Sequence, residues 1–329
     1  MSVTKIMTVE EMQDRRKWLE MRRTGIGGSD AAVVVGLNAY QTLFSLWMDK
    51  TGQTDIEDEE GAELPDWIEA GIRSEKMIAE WFEDKTGKKL QRCGMLRSNE
   101  HPFMIADVDR LVVGENAIVE IKTTASWNKD EWAEDSIPDT YWAQIQHYMS
   151  VGGWEKCYVV CLVGGRELVI REVERNDEDI EALVEAERNF WENYVIPKKL
   201  PDVDGTETCK QALQKMYKGG DDDAIELDGS IDAEIDNYFA LKEQIKKLEA
   251  MALERENKVR MLMEDHEFGR SPKYNISYKS GYARTGFNSK QFAKDHEKLY
   301  EQYKTVTTSR RLYIRESVAR RKEREKLNG

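Results

Sequence analysis

The chain has 329 residues, 40% of them apolar, which is enough for one large domain or two modest ones with real cores. It holds no run of 18 apolar residues and no signal-peptide-like apolar stretch near its start, so the expectation is a cytoplasmic protein with no membrane partner. The net charge of −14 argues against a uniformly DNA-gripping surface, but residues 270–329 carry 16 Lys/Arg against 6 Asp/Glu, a local +10 that leaves −24 on the rest. That asymmetry points to a basic element for a polyanion; a solvated basic helix would explain it equally well. Cys93, Cys157, Cys161 and Cys209 form no C-x-x-C pair and read as free thiols, with a spacing that does not suggest an iron–sulfur cluster.

In chain order, Thr8 and Glu11 form a capping box that predicts a helix from Val9. The glycines of RRTGIGGSDAA break it, and Ser29-Asp30 cap a second helix over residues 31–35. A short helix is predicted over 43–50, and an exposed acidic loop over 55–63. Residues 66–85 show helical spacing, with Trp67, Ile68, Ile72, Met77, Ile78, Trp81 and Phe82 on one face and Gly87 at the C-cap. Residues 104–113 and 117–122 read as a hairpin around Gly114. A helix follows over 138–150, then a hairpin of 156–163 with 166–173, in which Cys157 and Cys161 share a face. Asn176 caps an amphipathic helix with Ile180, Leu183, Val184, Trp191 and Tyr194 inward, closing an α/β core near Leu200.

Residues 201–230 are polar and acidic and read as a linker with one short helix at most. From Ile231 the pattern becomes heptad: Ile231, Tyr238, Ile245, Ala252 and Val259, with Leu241, Leu248 and Leu262 three residues after three of them. Glu234 and Arg255 interrupt the seam, so a helical hairpin and a coiled coil are both open. The last sixty residues suggest a strand (274–282), a helix (288–303), a strand (309–315) and a basic tail. Most of the nine tryptophans, among them Trp67, Trp81, Trp142 and Trp191, are expected in packing rather than base stacking.

The chemistry is carried by IADVDRLVVGENAIVEIKTT. Alternation along a strand puts Glu120 and Lys122 on one side and Ile121 on the other, and the hairpin brings Asp109 beside them. Asp109 and Glu120 are hard oxygen ligands suited to Mg²⁺, the Ile121 carbonyl is a further donor, and Lys122 can orient water, take its proton or balance charge. The spacing alone is a weak signal, because surface hairpins often carry Glu and Lys two apart. Other chemistries find no support: there is no Walker-type loop, no G-x-S-x-G, no H-E-x-x-H, and the four histidines are scattered.

Asp109…Glu120-Ile121-Lys122 resembles the D…E-x-K core of the restriction-endonuclease-like nucleases. RRTGIGGSDAA, GIRSEKMIAEWFEDKTG, DVDRLV and YWAQIQHYM are similar, in the same order, to motifs of the phage lambda exonuclease and YqaJ-type viral recombinase branch. The resemblance covers residues 15–195. It implies a restriction-endonuclease-like α/β fold, a central mixed sheet flanked by helices, here followed by a helical or coiled-coil and small basic α+β extension.

The same resemblance implies a helix carboxylate, Glu75, supporting a metal site, and a glutamine, Gln144, facing it; on the residues alone both read as solvated helix positions. It implies that Arg23 and Ser29, with the amides near Gly28, bind a 5′ phosphate. Asp107 stands where lambda exonuclease has Ser, and the GIGGS segment is one residue shorter. The implied activity is 5′→3′ digestion of linear double-stranded DNA with Mg²⁺ (Mn²⁺ substituting), leaving 3′ overhangs. The implied partners are DNA ends and a single-strand annealing protein, and the implied assembly is a ring-forming homo-oligomer such as a trimer. The setting would be a phage or prophage protein in bacterial cytoplasm. Residues 1–200 are then the exonuclease core, 201–230 an acidic linker, 231–265 a long heptad helix and 266–329 a basic C-terminal region. An endonuclease of the same fold and a non-catalytic DNA-binding scaffold are the alternatives.

Overall fold

A computed structural model describes residues 2–54, 65–134, 136–220, 223–281, 286–305, 311–318, 320 and 326. The chain divides into two compact units, Met1–Tyr217 and Lys218–Gly329.

The first unit opens with strand β1 (Val3–Lys5) and a 3₁₀ turn, Glu11–Gln13, entered through the reciprocal Thr8 and Glu11 hydrogen bonds of the capping box. Helix α1 (Arg15–Arg22) starts where the Asp14 carboxylate accepts from the Lys17 amide. Helix α2 (Gly28–Val34) is capped at Gly27 rather than at Ser29-Asp30, and Asp30 reaches back to accept the Gly27 amide at 2.9 Å. Helix α3 (Leu43–Lys50) begins with a Thr42–Ser45 capping box. The acidic loop expected over 55–63 lies outside the described residues. Helix α4 (Asp66–Thr86) ends at Gly87, whose φ of +72° is the left-handed cap that glycine adopts without strain.

Strands β2 (Leu90–Gln91), β3 (Leu96–Ser98), β4 (Ile105–Ala106), β5 (Arg110–Val112) and β6 (Ala117–Thr124) follow, and then helix α5 (Asp139–Gly152). Strands β7 (Lys156–Val163) and β8 (Glu167–Glu174), helix α6 (Asp177–Phe190) with a π-helical turn over Trp191–Val195, and helix α7 (Glu207–Met216) complete the unit. Five strands form a mixed sheet in the order β2-β5-β6-β7-β8; β6 and β7 are parallel and joined through α5, and every other pairing is antiparallel. A small antiparallel sheet, β1-β3-β4, lies beside it.

Alternation sends Ile118, Cys157, Val159 and Cys161 to one face of the sheet, into a core shared with Ile145 and Met149 of α5. Val119, Tyr158, Val160 and Leu162 go to the other face, against Ile78 and Phe82 of α4. The expected central mixed sheet flanked by helices is therefore the architecture found. Burial of these aliphatic and aromatic side chains, at roughly 25 cal/mol per Å² of apolar surface, is what holds the layers together.

Three expectations change. The run 104–113 is not one strand: β4 belongs to the small sheet and β5 to the large one, and residues 107–109 form the crossover between them. The apolar face of α4 is buried only toward its C-terminal half; Trp67 is 74% exposed, against the expectation of a packing role, and Ile72 and Met77 are exposed too. The core unit also extends past Leu200, because α7 inserts Cys209 and Ala212 into the main core.

In the second unit, helix α8 (Ile231–Met263) is one uninterrupted helix of 33 residues, with only Met263 buried. Ile231, Tyr238, Leu241, Ile245, Leu248 and Val259 are exposed along it. Strands β9 (Phe268–Arg270) and β10 (Asn275–Ser277) form a hairpin, so the strand expected over 274–282 is shorter than predicted and has a partner the periodicity did not reveal. The helix expected over 288–303 is two, α9 (Ser289–Asp295) and α10 (Glu297–Tyr303), broken at His296. Of the strand expected over 309–315, residues 311–315 carry no regular element and the rest lies outside the described residues, as does most of the basic tail. No described helix is long and apolar enough to cross a membrane.

Candidate active site

The site forms just ahead of the start of β5, beside the middle of β6. The ladder pairs Arg110 with Val119, so Asp109 arrives opposite Glu120. There the Asp109 side chain takes over the ladder's role: its Oδ2 accepts the Ile121 amide at 2.7 Å. Glu120 points to the α5 face, like Ile118 two residues earlier, and is only 3% exposed. Its Oε1 accepts from Lys122 Nζ at 2.7 Å and from Gln144 Nε2 at 2.7 Å. Gln144 in turn accepts from Lys122 at 3.0 Å, and Lys122 lies 4.6 Å from the ring centre of Tyr141. Asp109, Glu120, Lys122 and Gln144 are thus brought together, with Ile121 turned to the opposite face.

The electrostatics are unfavourable to two bare carboxylates. Burial and then the neighbouring charge of Glu120 push the Asp109 carboxyl well above its usual range, only partly offset by Lys122 and the Ile121 amide. Burial likewise raises Glu120 against the pull of Lys122. Burial pulls the Lys122 ammonium down, but Glu120 and Asp109 outweigh it and the net shift is upward. Glu120 Oε2 is buried without a hydrogen-bond partner among the described residues. An orphaned buried carboxylate oxygen beside a second, half-buried carboxylate is the environment that a hard cation relieves, and the donors, two carboxylates and the Ile121 carbonyl, are of the oxygen type that Mg²⁺ takes. The residues therefore fit a divalent ion. No cluster of three or more His, Cys, Asp or Glu side chains arranged for a metal occurs among the described residues.

Glu75 does not join it as a free ligand. Its Oε1 accepts from Arg110 at 2.5 Å and lies 3.8 Å from Arg92, so its charge is already engaged. It borders the same small cleft as Asp107 and Asp109. Asp107 accepts from the Trp18 indole N–H at 2.7 Å.

The expected phosphate residues are rearranged. Arg23 turns away and pairs with Asp49 at 2.7 Å. Arg22 stands against Ser29 instead, donating from Nη2 to Oγ at 2.7 Å and lying 3.3 Å from Asp30. Arg22 belongs to the last turn of α1 and Arg23 is its C-cap residue, so the two side chains leave in different directions. Gly28 is buried by packing: a Cβ there would lie 2.5 Å from the Tyr148 ring and 2.9 Å from Gln144. Its lack of a side chain lets α2 approach α5, which puts the start of α2 one residue from the glutamine that holds Glu120.

Arg22, Trp18, Tyr141 and Tyr148 were not singled out from the sequence. For the tyrosines a signal was present: positions 141, 144 and 148 share one face of a helix by 3.6-residue periodicity. For Arg22 over Arg23 there was none, since the choice rests on where α1 ends.

Residues 17–155 match the YqaJ-like viral recombinase domain. Over 315 residues the chain is 36% identical to the uncharacterized protein YqaJ of Bacillus subtilis (strain 168), covering 94% of this chain and 97% of that one. The chain belongs to the YqaJ family of viral recombinases. In the family-matched segment lie Arg22, Ser29, Glu75, Asp109, Glu120, Lys122 and Gln144, whereas α6, α7 and the whole second unit lie beyond it. Among solved structures, the chain is similar to an alkaline exonuclease from Laribacter hongkongensis (TM-score 0.47, 20% identity, 56% of this chain and 95% of that one). It is also similar to a phage-related exonuclease from Haemophilus somnus 129PT (TM-score 0.37, 12% identity, 55% and 99%).

Proposed function

We propose that this protein is a metal-dependent deoxyribonuclease that degrades linear double-stranded DNA 5′→3′ and leaves 3′ overhangs for recombination. The observation that carries the reading is the half-buried Asp109 opposite the buried Glu120, whose Oε2 has no hydrogen-bond partner among the described residues, beside a charged Lys122. Membership in a viral recombinase family supports the recombination setting.

Asp109, Glu120 and the Ile121 carbonyl would hold Mg²⁺, with Mn²⁺ as substitute. The ion supplies charge stabilisation at the scissile phosphate and acidifies water. The chain's own groups do the positioning. Lys122 remains charged between Glu120 and Gln144 and is placed to donate to a phosphate oxygen or to water. Gln144 fixes Glu120, and Tyr148 accepts from Gln144 at 3.3 Å, limiting its rotation. Arg22 and Ser29, reached through Gly28, are the donors for a 5′-terminal phosphate, and this replaces Arg23 in that role. A planar guanidinium suits a phosphate's paired oxygens.

The exposed heptad positions of α8 supply a surface for a single-strand annealing protein or for the ring-forming homo-oligomer, and the basic C-terminal region supplies a DNA contact. Digestion of linear duplex labelled at either 5′ or 3′ ends, in Mg²⁺ and in chelator, tests the activity. Early release of the 5′ label in Mg²⁺ alone supports the reading. Equal loss of covalently closed circles would replace it with an endonuclease, and no digestion by a folded, metal-bound protein would leave a binding scaffold.

A further inference from the structure

The region of helix α7 was expected to be a linker with one short helix at most, yet the helix packs Cys209 and Ala212 into the core and presents its other side to a cleft of about 350 Å³. The cleft lies between α1, α2, α3 and α7, and Arg22, Ser29, Ser45, Thr208, Gln211 and Lys215 are among its lining residues. This volume is at the small end of ligand clefts, of roughly 300–1,000 Å³, and suits a single nucleotide unit.

Its charge suits an anion. Among the described residues, the carboxylates at its wall are engaged, Asp30 with Lys50 at 2.7 Å and Asp49 with Arg23 at 2.7 Å. Ser29 accepts from Arg22, so its own hydroxyl hydrogen is left to donate. The side chains of Lys215 and Gln211 make no hydrogen bond or ion pair among the described residues, and both are exposed. The Arg22 and Ser29 side of the cleft adjoins the catalytic face. Arg22 is close enough to Asp107 and Tyr148 to interact with both, and Ser29 follows Gly28, which abuts Gln144.

We propose that α7 forms the outer wall of a subsite for the 5′-terminal, phosphate-bearing nucleotide of a DNA strand, with Lys215 and Gln211 as its specificity residues. This rests on the strand-end nuclease reading above. It places part of the end-recognition outside the family-matched segment, since α7 lies beyond residue 155. Lys215 meets the phosphate as a point charge from the side opposite Arg22, and Gln211 offers both a donor and an acceptor to the nucleotide.

The test measures binding of two blunt duplexes that differ only in a 5′ phosphate or a 5′ hydroxyl. The full-length protein, in chelator, is compared with Lys215→Ala, Lys215→Arg and Gln211→Ala. Wild type is expected to favour the phosphorylated duplex. Lys215→Ala should reduce that preference about tenfold, the scale of one hydrogen bond to a charged group, and Lys215→Arg should restore most of it. Gln211→Ala should weaken binding of both duplexes. Because Lys215 is exposed, loss of folding does not confuse the result. An unchanged preference in Lys215→Ala, with wild type still selecting phosphate, overturns the α7 subsite and leaves the strand-end nuclease standing. If wild type shows no preference and digests circles as fast as linear DNA, the underlying reading fails with it.

Discussion

His147 Nδ1 and Glu187 Oε1 meet at 2.7 Å with neither side chain exposed to solvent. The second ring nitrogen, Nε2, lies 2.9 Å from the Ile105 carbonyl, so both nitrogens face acceptors and the ring is best satisfied as an imidazolium. The pair ties α5 to α6 and to β4, three residues along α5 from Gln144. Burial pulls the His147 pKa down, but the Glu187 charge and the two hydrogen bonds outweigh it and raise it, with Asp30 adding a smaller pull.

A raised histidine pKa stabilises the fold fully below the unfolded value of about 6.5 and loses that contribution as pH rises through the folded value. We expect wild-type stability in urea to fall as pH climbs above 6.5. Glu187→Gln should cost about 3–5 kcal/mol at pH 6, as for breaking a buried pair, and should flatten the slope above 6.5. The same slope in the variant would show that His147 is not charged by Glu187.

Removing a charge at the catalytic face should stabilise the metal-free protein. Asp109→Asn keeps an acceptor for the Ile121 amide but deletes the half-buried carboxylate facing Glu120. Calorimetry in chelator should show a gain of about 1 kcal/mol, the usual size of such site-relieving changes. Mg²⁺ should then raise the melting temperature of wild type and leave Asp109→Asn unmoved. A variant that melts lower than wild type in chelator would mean the two carboxylates do not strain the site.

Two neighbouring glycines should behave differently. Gly28→Ala forces a Cβ into the Tyr148 ring and Gln144, and overpacking of this kind costs about 1–3 kcal/mol. At Gly27 the nearest atoms to a Cβ are 3.6 Å away, an ordinary contact, so Gly27→Ala should cost less. Denaturation midpoints of the two variants decide it, and equal costs would place α2 farther from α5 than the structure does.

The adjacent arginines should also separate. Arg22→Ala should erase the preference for 5′-phosphorylated over 5′-hydroxyl duplex in digestion rates, because Arg22 is the one against Ser29. Arg23→Ala breaks the partly buried contact with Asp49 and should lower stability while leaving a phosphate preference. The reverse pattern would restore the assignment made from the motif alone.

How far the sequence went differs from element to element. Helix α3, Gly87 and the β7–β8 hairpin follow from capping and turn residues, which are local and therefore readable. The shared side of Glu120 and Lys122 follows from strand alternation. The break at 107–109 did not show, because residues 104–113 keep a strand-like pattern while changing sheets, and which neighbour a strand pairs with is a long-range choice. Trp67 was misplaced because periodicity marks a helix's apolar face but not how far along its length a partner covers it. Helix α7 looked like linker because its surroundings are polar, although Cys209 and Ala212 are the small residues that let it pack. The pairing of Arg22 rather than Arg23 with Ser29 depends on the last turn of α1, where sequence reading is least sharp.

The central claim is that Asp109, Glu120 and Lys122 form a metal-dependent phosphodiesterase centre. The most direct measurement is the rate at which purified Glu120→Gln releases acid-soluble nucleotides from linear duplex DNA in Mg²⁺, beside wild type of equal folded fraction. The account predicts a fall of about a thousandfold, the scale of losing an electrostatic catalytic group. A Glu120→Gln rate within about threefold of wild type, under about 0.7 kcal/mol on the same scale, would contradict it.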